Sequence, residues 1–150
     1  MKIKISQKQT GQSLVESALI LPLILLLIFT FLDLGRAVYY YSALGNSVRE
    51  GARFASVTKI TNETEKDAVE IRVYSYSVAV QPTSVDVCFP VPGNPSQCDS
   101  LPSEDFDYVT VTASYIFTPI TPFLAQMLGS GTTITLDAES TMRLAPIARN

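Results

Sequence analysis

Apolar residues are concentrated in one long run near the amino terminus of this 150-residue chain. Residues 17–32 carry no charge. Counted from Leu14, the run gives about 28 Å of helix at 1.5 Å per residue, which is enough to cross the apolar core of a bilayer. Pro22 lies inside the run and is expected to bend the helix, which a membrane span tolerates because neighbouring helices satisfy the freed backbone groups. The pattern predicts a transmembrane helix over residues 12–33.

A helical pattern continues after the apolar run and predicts that the same helix extends over residues 34–60. Apolar and small residues recur at alternating steps of four and three: Leu34, Val38, Tyr41, Gly45, Val48, Ala52 and Ala55. This heptad stripe either packs on the protein's own domain or is shared between subunits. The two interpretations are compatible, because a helix has more than one side.

The remaining residues, 61–150, predict a small domain with a second helix followed by strands. Asn62 followed by Glu65 resembles a capping box. Residues 63–80 fit a strand or a helix, with helix the preferred interpretation, and Pro82 is expected to end it. Alternating or β-branched residues predict strands at 85–89, 108–117 and 132–144. We therefore predict an α+β fold in which a long amino-terminal helix packs on a domain with a second helix and an antiparallel sheet.

The charges that flank the apolar run predict its orientation. Lys2, Lys4 and Lys8 precede the run, whereas no basic residue follows it until Arg36. The positive-inside rule then leaves residues 1–11 in the cytoplasm and exports the domain. A cleaved secretory signal is the alternative. It is disfavoured because Glu16 interrupts the start of the run and no small-residue cleavage site follows closely.

Glu16 is the one charge within the predicted span apart from Asp33 at its end, and a charge at this depth is expected to have a partner. A carboxylate at bilayer depth costs roughly 2.5–3.5 kcal/mol on insertion scales. If a peptidase cuts after Gly11, the new amino group of Gln12 becomes a candidate partner, in the same subunit or in the next. Such a pair would fix the axial register between neighbouring subunits.

Composition argues against several function classes. The chain has no histidine, which removes the commonest general base and metal ligand. No phosphate-binding loop or metal-ligand spacing appears, so we predict no enzymatic activity, no metal and no cofactor. The formal net charge of −3 includes three lysines before the span, so the exported part is more acidic still. Nucleic acid is therefore not an expected partner.

Cys88 and Cys98 flank a short loop that is rich in proline. In an exported domain this spacing predicts a disulfide. Two reduced thiols are the alternative if this part of the chain is cytosolic.

Three motifs resemble those of the TadE-like family, the pseudopilin-like minor proteins of the tight-adherence (Flp) pilus, which is a branch of type IV pili. The resemblance spans residues 11–55. It is carried by Gly11-Gln12-Ser13-Leu14-Val15-Glu16 at the start of the span, by Asp33-Leu34-Gly35-Arg36-Ala37 at its end, and by Arg49-Glu50-Gly51-Ala52-Arg53 further along the helix. One position departs from the family pattern, since the residue after the glutamate is often aromatic there and is Ser17 here.

The resemblance implies a structural role. A prepilin peptidase would cut between Gly11 and Gln12, and Glu16 would serve in assembly. The protein would sit in the inner membrane with its domain outside, or enter a surface pilus. It would contact other pilin or pseudopilin subunits directly, and the assembly platform and its ATPase indirectly. A type II secretion pseudopilin and an uncleaved membrane-anchored binding domain are the alternatives.

The two motifs along the helix have a simpler interpretation as well. Asp33 and Arg36 are spaced to pair with each other at the membrane surface. Arg49, Glu50 and Arg53 form a solvated face, or dock the helix on the domain or on another subunit. Gly35 and Gly51 belong to the same motifs, and small residues along the heptad stripe would let another backbone approach closely.

Overall fold

The computed structural model describes residues 10–78, 80–99, 101, 107–121, 126 and 133–145. Two helices and four strands follow in chain order: α1 (Thr10–Val57), α2 (Glu63–Tyr76), β1 (Ser84–Val91), β2 (Asn94–Asp99), β3 (Tyr108–Phe117) and β4 (Ile134–Arg143). The predicted α+β class is confirmed, with a long amino-terminal helix, a second helix and an antiparallel sheet.

Helix α1 combines the apolar run and the heptad stripe in one continuous element. It begins at Thr10 and contains Pro22 without interruption. An 18-residue window of the helix has a mean hydropathy of 2.5, and none of that window is buried. By length and composition, α1 is therefore apolar enough to cross a membrane once. The lysines at positions 2, 4 and 8, on which the predicted orientation depends, lie outside the described part of the chain.

The sheet has the order β2-β1-β3-β4, and every neighbouring pair is antiparallel. Its apolar residues alternate onto one face, where α1 and α2 cover them. The main contributors from the strands are Val87, Phe89, Val109, Val111 and Ala113, all at most 1% exposed. The opposite face carries mostly Ser, Thr and charged residues, with Tyr108 and Ile116 exposed among them.

The second half of α1 lies along this sheet and runs antiparallel to β3. The ring of Tyr40 meets the ring of Phe117, at the end of β3, with centroids 5.9 Å apart. Eleven residues later on the helix, Gly51 lies beside Val111, which is earlier in the same strand. The carboxyl end of β3 therefore points towards the apolar half of α1.

Helix α2 begins at the predicted capping box. The side chain of Asn62 accepts a hydrogen bond from the backbone N–H of Glu65 at 3.0 Å, and the Glu65 carboxylate accepts bonds from the N–H and the hydroxyl of Thr61. These bonds satisfy donors that a helix start otherwise leaves free. The helical interpretation of residues 63–80 is thus confirmed for Glu63–Tyr76.

The prediction that Pro82 ends α2 is wrong. The helix stops at Tyr76, well before the proline. Ser77 is buried, and its hydroxyl donates to the carbonyl of Val73 at 2.8 Å while its N–H bonds to the carbonyl of Tyr74. The side chain therefore satisfies carbonyls of the last turn, and the helix needs no proline to terminate.

The strands agree with the expected segments, with one addition. The strand predicted at 108–117 has those bounds, and those predicted at 85–89 and 132–144 appear as β1 and β4. Strand β2 was not predicted, because the prolines in its neighbourhood argue against a strand. A proline is tolerated in β2 because β2 is an edge strand. The disulfide between Cys88 and Cys98 joins β2 to β1.

Candidate functional site at the junction of helix and domain

Asp33 is the first charged residue after the apolar run, and its side chain is completely buried. Its carboxylate accepts hydrogen bonds from the backbone N–H of Ile120 at 3.0 Å, from the N–H of Thr121 at 2.8 Å and from the Thr121 hydroxyl at 2.7 Å. A buried carboxylate is tolerated when such donors replace its hydration. Asp33 thus binds the segment after β3 to the end of the apolar half of α1.

Arg36 extends this contact to the aromatic residues of the sheet. Its guanidinium lies 3.3 Å from Asp33 Oδ1, and its central carbon lies 5.7 Å from the centroid of the Tyr40 ring and 5.4 Å from that of Phe117. The Tyr40 hydroxyl is the main cause that raises the pKa of Arg36 above its ordinary value, and Asp33 contributes in the same direction. Arg36 therefore contacts the end of β3 as well as Asp33.

The predicted Asp33–Arg36 pair is present. The sequence did not reveal that the Asp33 carboxylate also binds the segment after β3. The donors to Asp33 are mainly backbone groups, 87 and 88 residues further along the chain. Backbone donors leave no mark in a sequence. The only available signal was a carboxylate at a membrane boundary, where one partly exposed arginine is poor compensation for a buried charge.

The motif at residues 49–53 has one residue in the core, Gly51, and charged side chains at the surface. Gly51 is buried, and a Cβ atom placed there would overlap Cγ2 of Val73 on α2 and would also touch Val111 on β3. Glycine therefore lets α2 approach α1 closely at this point. Arg53 Nε lies 3.2 Å from Glu50 Oε2, and the Arg53 side chain is 68% exposed. Such an exposed pair contributes little to stability.

Arg49 points away from that pair and lines an open cavity of about 330 Å³ between α1 and the edge strand β4. The other lining residues are Tyr41, Ser42, Gly45, Asn46, Ala138 and Glu139. Within the described part of the chain, no group of three or more His, Cys, Asp or Glu residues is arranged to hold a metal ion. The cavity therefore offers hydrogen-bonding groups, one cation from Arg49 and one carboxylate from Glu139.

Gly11, Gln12 and Glu16 all lie on the exposed amino-terminal part of α1. Among the described residues, the side chain of Glu16 has no hydrogen-bond or ion-pair partner within this single chain. About 25 Å of helix separates it from Asp33 at 1.5 Å per residue, so the structure does not bring the two carboxylates together. Gly35 is also exposed, with open space where a Cβ atom would lie.

Comparison with known proteins agrees with the resemblance seen in the sequence. A family model described as TadE-like protein matches residues 11–53. The match contains Glu16 and both helix motifs and ends before α2 and the sheet. No curated protein and no solved structure matches the chain. The family likeness therefore belongs to α1, the element that carries the apolar run and the Asp33 junction.

Proposed function

We propose that this protein is a structural minor pilin or pseudopilin of a tight-adherence pilus, cut by a prepilin peptidase between Gly11 and Gln12, and that it assists pilus assembly and surface adhesion. The observation that supports this most is the apolar half of α1, which is exposed along its length, is headed by Glu16 and lies within the TadE-like segment. Large exposed apolar surfaces mark contacts with membranes or partner proteins.

The chemistry of assembly centres on Glu16. Cleavage after Gly11 creates an amino group with an ordinary pKa of about 7.7–8.0, which is largely protonated at neutral pH. Glu16 has no partner among the described residues of its own chain, so the amine of a neighbouring subunit can approach it freely. Pairing the two charges in the apolar environment fixes one subunit's axial position against the next, a role in specificity more than in stability.

The other half of the protein has a supporting role. The Asp33 junction and the packing of α1 on the sheet give the exported domain a defined position on its helix. The partners are the inner membrane, the peptidase and other pilin or pseudopilin subunits, with the assembly platform and its ATPase acting indirectly. Nucleic acid and catalysis have no place in this function.

The first test is the amino-terminal residue of the protein from native membranes, measured by intact mass and terminal peptide sequencing. We expect Gln12. A Gly11→Val variant should keep Met1, whereas Gly35→Val, the same change at an exposed glycine outside the cleavage site, should be processed normally. Met1 on the unaltered protein would favour an uncleaved membrane-anchored binding domain. A terminus beyond residue 33 would indicate a secretory signal.

The second test is pilus display by cells that carry Glu16→Gln. We expect processing to continue and surface pili to be lost or shortened. Glu63→Gln is the matched control, because it removes a carboxylate at the exposed start of α2 and should leave pili unchanged. Normal pili with Glu16→Gln would disprove the register role. Loss of protein secretion with normal pili on deletion of the gene would favour a type II secretion pseudopilin.

A further inference from the structure

The hydrogen bonds at Asp33 hold the segment after β3 at the level where the apolar run of α1 ends. Asp33 directly follows Leu32, which is 56% exposed. Helix side chains tilt towards the amino terminus of the helix. The backbone of Ile120 and Thr121, bound to the Asp33 carboxylate, therefore lies beside the last turn of the apolar run.

The chain reaches that level by continuing past the end of the sheet. Phe117, the last residue of β3, packs against Tyr40. Tyr40 lies about 10 Å further from the apolar run than Asp33, at 1.5 Å of helix rise per residue. Three residues of chain, from Phe117 to Ile120, are long enough to span about the same distance. The segment after β3 thus descends along α1 towards the predicted membrane.

The residues at this end of the domain suit an apolar environment. The side chain of Ile120 is 66% exposed although its backbone is anchored. Leu34, the helix residue next to Asp33, is 52% exposed. The sequence has no charged residue from position 108 to position 136, a stretch that includes β3 and the whole connection to β4. Nothing charged on this stretch would oppose contact with lipid.

We propose that Ile120 contacts the bilayer in which α1 is anchored, at the boundary between the phospholipid headgroups and the acyl chains. This inference rests on the membrane anchoring in the proposed function. Lipid is the expected occupant because the apolar surface of α1, exposed and long enough to span a bilayer, runs directly up to the level of Ile120. The domain then has two points on the membrane, which limits its rotation about the helix axis.

The test uses the full chain in phospholipid vesicles, with one introduced cysteine that carries the fluorophore NBD. The native disulfide stays closed, so only the new thiol is labelled. The label replaces Ile120 in the test protein. In the controls it replaces Leu23 inside the span or the exposed Lys59 beyond the far end of α1, where Val57 is about 36 Å from Asp33 along the helix.

We expect quenchers attached to lipid chains to quench the label at position 120 and the label at position 23, and aqueous iodide to quench only the label at position 59. Adding Asp33→Ala to the position-120 protein should shift its label from lipid quenching towards iodide quenching, because the anchor of Ile120 is gone. Circular dichroism verifies that each labelled protein is folded.

Three outcomes would overturn the inference. In the first, iodide quenches the label at position 120 as much as the label at position 59, while the label at position 23 stays in lipid. The helix would then be anchored in the membrane, but Ile120 would not contact it. Protection of position 120 from both quenchers would mean that protein covers it. Iodide quenching at position 23 would disprove the membrane anchoring itself.

Discussion

The two halves of α1 belong to one continuous helix but have opposite surroundings. Leu23 and Leu27 in the first half are 66% and 52% exposed, whereas Leu44 and Val48 in the second half are completely buried. The chain after β3 contacts the helix at Asp33, which marks the boundary between the halves, and the first completely buried apolar side chain of α1 is that of Leu44. Apolar residues in a helix therefore indicate that it will be covered, but not whether lipid, another subunit or its own domain covers it.

The residues of the heptad stripe also differ in exposure between the start and the end of the stripe. Its later members, Val48, Ala52 and Ala55, are completely buried against the domain, whereas Leu34 and Tyr41 are more than half exposed. Own-domain packing is thus the correct interpretation for the later part of the stripe. The earlier part stays available for a membrane or another subunit.

The largest expected effect compares an exposed leucine next to this boundary with a completely buried leucine further along the second half of α1. Leu44→Ala should lower the free energy of unfolding by about 2–5 kcal/mol, because it leaves a cavity in the core. Leu34→Ala should change it by no more than about 0.5 kcal/mol, since that side chain is half exposed. Both changes in the free energy of unfolding are measured by denaturing the full chain in detergent while the circular dichroism of its tyrosines is monitored. Equal losses would contradict the division of α1.

The next effect concerns the boundary itself. Asp33→Ala leaves the N–H groups of Ile120 and Thr121 without their acceptor, and each such buried donor costs about 1–3 kcal/mol, so we expect a loss of roughly 3 kcal/mol. Hydrogen exchange at the Thr121 amide should accelerate more than exchange in β1. Asp137→Ala, at an exposed position on β4, is the control and should leave both measurements unchanged. Slow exchange at Thr121 in the Asp33 variant would refute the role of the carboxylate.

A smaller effect contrasts two glycines of the second half of α1. Gly51→Ala should destabilise the domain by about 1–3 kcal/mol, because the added methyl group overlaps Val73 and the helices must separate. Gly45→Ala meets open space and should be neutral or stabilise the helix by up to about 1 kcal/mol. Thermal unfolding of the two variants beside the unaltered protein tests this. A stable Gly51→Ala protein would show that α2 does not approach α1 so closely.

The smallest effect is a pH dependence at the start of α2, far from the span. The N–H of Thr61, and then its hydroxyl, hold the pKa of Glu65 below its usual value. Because the pKa is lower in the folded state, the stabilisation is present above the ordinary pKa of glutamate and is lost as the pH falls through the folded value. Glu70 acts oppositely, since burial, followed by Asp67, raises its pKa.

The variant Glu65→Gln isolates the contribution of Glu65 to this pH dependence. Unfolding measured from neutral pH down to pH 3 should show a smaller loss of stability on acidification for the variant than for the unaltered protein. Identical pH profiles would mean that the capping interaction does not depend on charge.

Much of the fold was predictable because local patterns dominate it. The start of α2 follows from Asn62 and Glu65, and β3 follows from a run rich in Val, Thr, Tyr and Ile, with the predicted bounds. The end of α2 was mispredicted because a serine hydroxyl terminates the helix before Pro82. Strand β2 was missed because an edge position accepts prolines that a central strand excludes.

The candidate site was predictable only in part. The sequence alone identified Glu16 as unusual, because a charge inside an apolar run is costly, and it predicted the Asp33–Arg36 pair from the spacing. It also determined the apolar span, the helix that continues it and the class of the domain, since each of these depends on neighbours within a few residues.

Only the tertiary structure decided what covers the second half of α1 and what binds Asp33. Two of the donors to Asp33 are the backbone N–H groups of Ile120 and Thr121, and every residue except proline carries such a donor. The close contact at Gly51 requires α2 to return along α1 and places Val73 where a Cβ would lie. Such contacts depend on how distant segments meet in space, and the local periodicity of the chain does not encode that meeting.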